Sequence, residues 1–203
     1  MSLLLQPDAP SEDSVPELRL GTRERILSAS YDLFARRGIR DVAIDEVILA
    51  SGVAKATLYR HFASKDELVL AFLQRREEIW TFGAVEAGAR SRAVDPEGQL
   101  LAIFDVFDEW FRRDDFEACS FIGTLLEMGA DHPAGIASRA HLGTIHSIVE
   151  GLAAEAGIPT PDEFARSFGI LMKGSIVQAC EGDIDAALRA RSMARLLVAQ
   201  FRS

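Results

Sequence analysis

Two short helical patterns meet at a glycine near residue 52, and that junction constrains the chain more than any other stretch. Ile44, Val47 and Ile48 recur at helical spacing, Ser51-Gly52-Val53 interrupts them, and residues 54–62 start a second helix with Leu58 and Phe62 four apart on one face. Gly52 suits the tight turn because it has no Cβ to oppose a positive φ. The second helix has the wrong surface for one that merely covers a core. Lys55, Thr57, Tyr59, Arg60 and His61 point outward, and Lys65 follows one turn later, so the surface is rich in hydrogen-bond donors.

At 1.5 Å per residue this helix is roughly 13 Å long, which suits a major groove about 12 Å wide. Helix, short glycine-containing turn, helix is the arrangement that places a second helix against duplex DNA. Lys55 and Thr57, near its start, are positioned for base edges, with Ala56 between them on the same DNA-facing turn. Tyr59, His61 and Lys65 are positioned for phosphates, and Arg60 for either. Val53, Leu58 and Phe62 support the motif from inside.

The run Ala50-Ser51-Gly52-Val53-Ala54-Lys55-Ala56-Thr57-Leu58-Tyr59-Arg60-His61-Phe62, followed by Ser64-Lys65-Asp66-Glu67-Leu68, resembles the N-terminal signature of TetR-family transcriptional regulators, with the likeness covering residues 22–70. The resemblance implies an all-α fold. Residues 21–66 would form a three-helix helix-turn-helix domain, and residues 67–203 a helical domain for effector binding and dimerisation. It also implies a homodimer on a palindromic double-stranded DNA operator, a repressor more readily than an activator, released by a small molecule and needing no cofactor. Two departures stand out. Ala43 replaces the usual Thr, removing a cap typically contributing about 1 kcal/mol, and Ile48 replaces a small Ala between the two helices.

The formal net charge of −9 argues against nucleic acid until its distribution is read. Residues 1–20 carry one Arg against four acids, residues 21–70 eight basic residues against seven acids, and residues 71–203 thirteen against twenty. Only the segment with the helix-turn-helix is not acidic, and the acidic remainder opposes indiscriminate DNA binding. No apolar run reaches the length of a membrane span and no basic, apolar leader opens the chain, so the expected compartment is the cytoplasm. Cys119 and Cys180 are the only cysteines, which excludes a cysteine zinc site and suits a reducing compartment.

Residues 1–20 mix Pro, Ser and acids without periodicity and read as a flexible lead, with Arg19 and Arg23 the only cations available to it for DNA. Thr22 can cap a first helix whose stripe is Ile26, Ala29, Leu33 and Phe34, ending at Gly38; Arg36 and Arg37 complement its dipole. Ser64 and Glu67 form a capping box for the next helix, which reaches Trp80 and links the DNA-reading helix mechanically to the rest. Residues 83–98 read as the loosest part, with a helix start at Asp95-Pro96-Glu97. Helices are then expected over residues 100–111, 116–129, 134–157, 162–180 and 184–202, punctuated by Asp131-His132-Pro133, Pro159-Thr160-Pro161 and Glu181-Gly182-Asp183.

Trp80, Phe104, Phe107, Trp110, Phe111, Phe121 and Met128 are, residue by residue, more readily ordinary core, but so many large side chains on adjoining helices can enclose an apolar cavity. His141 and His146 are its candidate polar anchors. They are five positions apart, about 140° around a helix, so they do not form a shared metal face, and no metal site is expected. On the last two helices Phe164, Phe168, Leu171, Met193 and Leu197 are candidate dimer contacts beside small residues that permit close approach. No nucleophile, base and orienting group occur at motif spacing, which argues against an enzyme. The remaining alternative is a helical small-molecule binding module with a vestigial helix-turn-helix, in keeping with the acidic charge and the missing Thr at position 43.

Overall fold

The apolar stripe of the first helix decides how the N-terminal unit closes. In the computed structural model, which describes residues 21–202, α1 (Thr22–Arg37) buries Ile26, Leu27 and Phe34. The expected N-terminal lead, with Arg19, lies outside the described residues. Thr22 is the first helical residue rather than the cap; Gly21 takes the cap position with no side-chain bond.

α2 (Ile44–Ser51) lacks a side-chain cap at Ala43, as its missing hydroxyl implies. Glu46 compensates by accepting a 2.9 Å hydrogen bond from the Ala43 N–H. Arg37 grips the same carboxylate at 2.5 Å and donates to the Asp41 carbonyl at 2.6 Å. Arg37 therefore closes the α1–α2 loop, a task beyond the dipole role its position suggested. Its hydrogen bond, with that from Ala43, holds the Glu46 carboxyl below the ordinary carboxylate range.

Gly52 ends α2 at φ 64°, in the left-handed region, and the chain re-enters a helix at α3 (Lys55–His61). α4 (Lys65–Arg76) starts at Ser64, whose hydroxyl accepts from the Glu67 N–H, while Glu67 reaches back to the Ala63 N–H. Its inner face returns Leu68, Val69 and Phe72 to the N-terminal core, where Phe72 meets Tyr31 and Phe34 edge-on at 5.4 and 5.6 Å. The N-terminal core thus extends past residue 66 into α4.

The helix does not stop at Trp80. It passes into a π-helical stretch (Glu77–Glu86) and then α5 (Ala87–Arg92), breaking only at residues 93–95. The segment expected to be loose is helical because Val85 and Ala89 are buried, and because Gly88 lets α5 lie against α6 (Pro96–Phe111). A Cβ on Gly88 would sit 2.9 Å from Val106 Cγ2. α6 starts at Asp95, whose carboxylate accepts from the Gly98 N–H, with Pro96 at the first helical position.

α6 is apolar nearly all round and runs through the middle of the C-terminal body, packed by α5, α8 (Pro133–Glu155), α9 (Pro161–Cys180) and α10 (Ala186–Arg202). α7 (Ser120–Met128) begins later than the expected 116 and packs on α8. α9 and α10 form a hairpin in which Ala187, Ala190 and Ala194 allow close packing. Among the described residues there is no strand, and no helix is long and apolar enough to cross a membrane.

Candidate nucleic-acid interface and cavity

α3 is held by one buried anchor, Leu58, with Phe62 buried just beyond its end. The opposite surface presents Lys55, Ala56, Tyr59 and Arg60 to solvent, while Thr57 and His61 are half-buried. Lys55 Nζ pairs with Asp45 at 3.2 Å across the turn. Lys65 stands apart from this face: it is half-buried, and its ammonium donates to the Ile39 carbonyl at 2.5 Å. From the body, Glu127 on α7 accepts a 2.9 Å hydrogen bond from the Ile39 N–H and a second from the Arg40 N–H. Further ties join the two units, among them Arg76, which donates to the Tyr31 hydroxyl at 2.7 Å and lies over the rings of Tyr31 and Trp80.

Within the body, a cavity of about 570 Å³ opens between α8 and α9. That is the size of a small-molecule site. Its inner wall is apolar, formed by Trp80, Val85, Phe107, Cys119 and Ile122; α8 supplies Leu142, Ile145, His146 and Val149, and α9 supplies Ala165, Arg166, Gly169, Met172, Lys173 and Ile176. Burial pushes the Cys119 thiol up, so it is a neutral wall group and not a nucleophile.

Residues 26–72 match the family model of the TetR family of bacterial regulatory proteins. The chain is 34 % identical over 92 residues to the transcriptional activator FasR of Mycolicibacterium smegmatis, 45 % of this chain and 41 % of that protein. It is 26 % identical over 156 residues to the transcriptional regulator SrpR of Pseudomonas putida, 76 % of this chain and 71 % of that protein. The fold superposes on the crystal structure of a TetR-family transcriptional regulator from Streptomyces coelicolor with a TM-score of 0.82 and 26 % identity, covering 90 % of this chain and 96 % of that one. The N-terminal segment is therefore that of the TetR family, and the fold as a whole is similar to that of a TetR-family regulator. The match to FasR spans less than half of that relative's length, so function is argued below from this chain's own geometry.

The aromatic set expected to line a cavity divides. Trp80, Phe107 and His146 line it. Phe104 and Phe121 are fully buried among other core groups instead: Phe104 meets Phe168 at 5.0 Å, and Phe121 stacks on His141 at 5.1 Å. Trp110 and Phe111 pack on each other and on Phe116, with Trp110 facing a second cleft on the other side of Trp80. Met128, half-buried, is not in the cavity wall. His141 is no anchor either, because its Nδ1 lies 2.9 Å from the carboxylate of Glu77. Burial works to raise the Glu77 carboxyl, and hydrogen bonds from His141 and Thr144 outweigh it, leaving Glu77 below its ordinary value.

The lining residues not anticipated are mostly aliphatic and cationic groups of α8 and α9. Their signal was periodicity: 142, 145, 146 and 149 on one helix, and 165, 166, 169, 172, 173 and 176 on the other, are each a single helical face. The dimer candidates divide too. Phe164 and Phe168 are buried within the chain itself, Phe164 against Phe201, while Leu171 and Leu197 are half-buried and Met193 is exposed. The apolar side chains that α9, α10 and their connection show to solvent are Ile170, Val177, Ile184, Leu188, Met193 and Leu196. His146 does have ligand-like neighbours: its donor atom and those of Glu150 and Asp162 lie within 4.8 Å of one another. Arg166 already bonds both Asp162 oxygens, at 2.9 and 3.1 Å, which opposes a cation there.

Proposed function

We propose that this chain is a homodimeric, DNA-binding transcriptional regulator that represses from a palindromic operator and is released when a small molecule enters the body. The observation that carries the reading is the α3 surface: Lys55, Ala56, Tyr59 and Arg60 stand exposed on a short helix whose opposite side is fixed by Leu58. Lys55 and Thr57 then meet base edges, and Tyr59 and His61 meet phosphates, with Arg60 available for either. Lys65 uses one of its three N–H donors on Ile39, which leaves two for a phosphate.

A single helix of this size binds weakly, and a two-fold pair reads two half-sites. The exposed apolar row on α9 and α10 suits such pairing. Release requires that the ligand bind the DNA-incompetent arrangement more tightly. Trp80 lines the cavity, and Arg76 connects Trp80 to Tyr31 of α1, so a ligand that moves the indole acts on the N-terminal unit within two contacts.

Electrophoretic mobility of DNA flanking the protein's own gene tests the reading. A shift at low salt that weakens steeply as salt is raised is expected. No shift at any salt concentration would overturn it in favour of a binding module with an idle helix-turn-helix.

A further inference from the structure

We infer that the cavity takes an amphipathic anion, a carboxylate carried on an apolar chain or ring, with Lys173 as the group that receives the charge. The inference rests on reading the cavity as the effector site and names the chemistry of what enters it.

The cavity is polarised. Its inner end is formed by Trp80, Phe107 and aliphatic groups, which offer no charge to a ligand. At the α9 rim stand Arg166 and Lys173, seven residues apart and therefore on one face of the helix, with His146 opposite on α8. No Asp or Glu among the described residues lines the cavity, although acids outnumber Lys and Arg by 31 to 22 in the chain. The rim therefore departs from the composition around it in one direction, toward positive charge.

The three rim groups are not equivalent. Arg166 and His146 are both engaged by Asp162, His146 at 2.9 Å, so their charge is already opposed by a carboxylate. Lys173 has no ion-pair partner among the described residues. Its ammonium folds back along α9, 4.0 Å from where a Cβ on Gly169 would stand, and Gly169 is itself part of the cavity wall. An ammonium at the mouth of an apolar cavity favours a ligand that presents an anion there and buries an apolar tail inward. A cationic ligand would meet like charge, and a neutral one would leave the ammonium unanswered.

The test is calorimetric titration of the full chain with decanoate, 1-decanol and decylammonium, three probes with one tail and different heads, each below its aggregation concentration. Decanoate is expected to bind about tenfold or more tighter than 1-decanol, as a charge-assisted hydrogen bond implies, and decylammonium weakest. Lys173→Gln, at an exposed site, is expected to collapse the preference for decanoate over 1-decanol, whereas Arg166→Gln leaves most of it. 1-Naphthoate against 1-naphthol then tells whether a ring serves as well as a chain. Equal or tighter binding of 1-decanol or decylammonium, or a preference that survives Lys173→Gln, overturns the inference, as does heat from none of these acids. Operator binding measured without ligand separates this from the regulator reading: a chain that shifts its operator yet rejects carboxylates retains that function and loses only the ligand class.

Discussion

Glu127 and Ile39 lie 88 positions apart and are joined at 2.9 Å, carboxylate to backbone N–H, with Ile39's carbonyl held at 2.5 Å by Lys65. One residue of the α1–α2 loop is therefore clamped from the body on one side and from the start of α4 on the other. Removing the carboxylate leaves two amides, those of Ile39 and Arg40, without their charged acceptor. Glu127→Ala is expected to cost about 1–3 kcal/mol and to speed hydrogen exchange at Ile39 and Arg40 more than at Ile26. Unchanged exchange at those two amides would show that the clamp contributes nothing.

Arg60 separates DNA binding from folding, whereas Lys65 serves both. Lys65→Ala should lower the melting temperature, by the equivalent of about 1–2 kcal/mol, because a part-buried carbonyl loses its donor. Arg60 is exposed and among the described residues bonds only Thr57, at 3.4 Å, so Arg60→Ala should leave melting unchanged while weakening operator binding. If Arg60 lies on a phosphate, the slope of log affinity against log salt falls by about 1 in that variant. Thermal melts and salt titrations of both variants decide it.

Glu77 makes stability depend on acid. Its carboxyl lies below the ordinary value in the folded protein, so its stabilisation is present above the unfolded value and is lost as pH falls through the lowered one. Against the wild-type chain, Glu77→Gln should therefore be less stable at neutral pH, by about 1 kcal/mol, with the gap closing below about pH 4. Melting curves of the two proteins from pH 7 to pH 3 show whether they converge. Parallel curves would mean that Glu77 is not titrating in that range.

Leu196 is 66 % exposed and Met193 55 %, so neither contributes much to its own subunit. Leu196→Asp should thus leave the melt of an isolated subunit unchanged while turning a dimer into a monomer in sedimentation at micromolar concentration, with operator affinity falling in step. A dimer that survives Leu196→Asp and Met193→Asp together would place the interface elsewhere.

The helix-turn-helix was legible because several local signals coincide within twenty residues: the break at Gly52, the Leu58–Phe62 face and the Ser64 cap. Helix boundaries marked by Asp95-Pro96 and His132-Pro133 were legible for the same reason. The cavity was misread because ring size drew attention to α6, where rings fill the core, while its walls are mostly aliphatic faces of α8 and α9 that look like any amphipathic helix. Phe164 and Phe168 were misassigned because periodicity shows that a helix has an apolar face, not which neighbour covers it. The Glu127 link to Ile39 has no sequence signature at all, since one partner is backbone.

The π-helical stretch Glu77–Glu86 explains how two residues of one helix share a cavity wall. Trp80 and Val85 are five apart, and α-helical winding would turn them about 140° from each other, sending one away from the cavity. The wider i→i+5 winding turns side chains five positions apart much less from each other, so indole and isopropyl can both face one space. Shortening this segment by one residue would therefore rotate the α5 face that carries Gly88 and Ala89 away from α6.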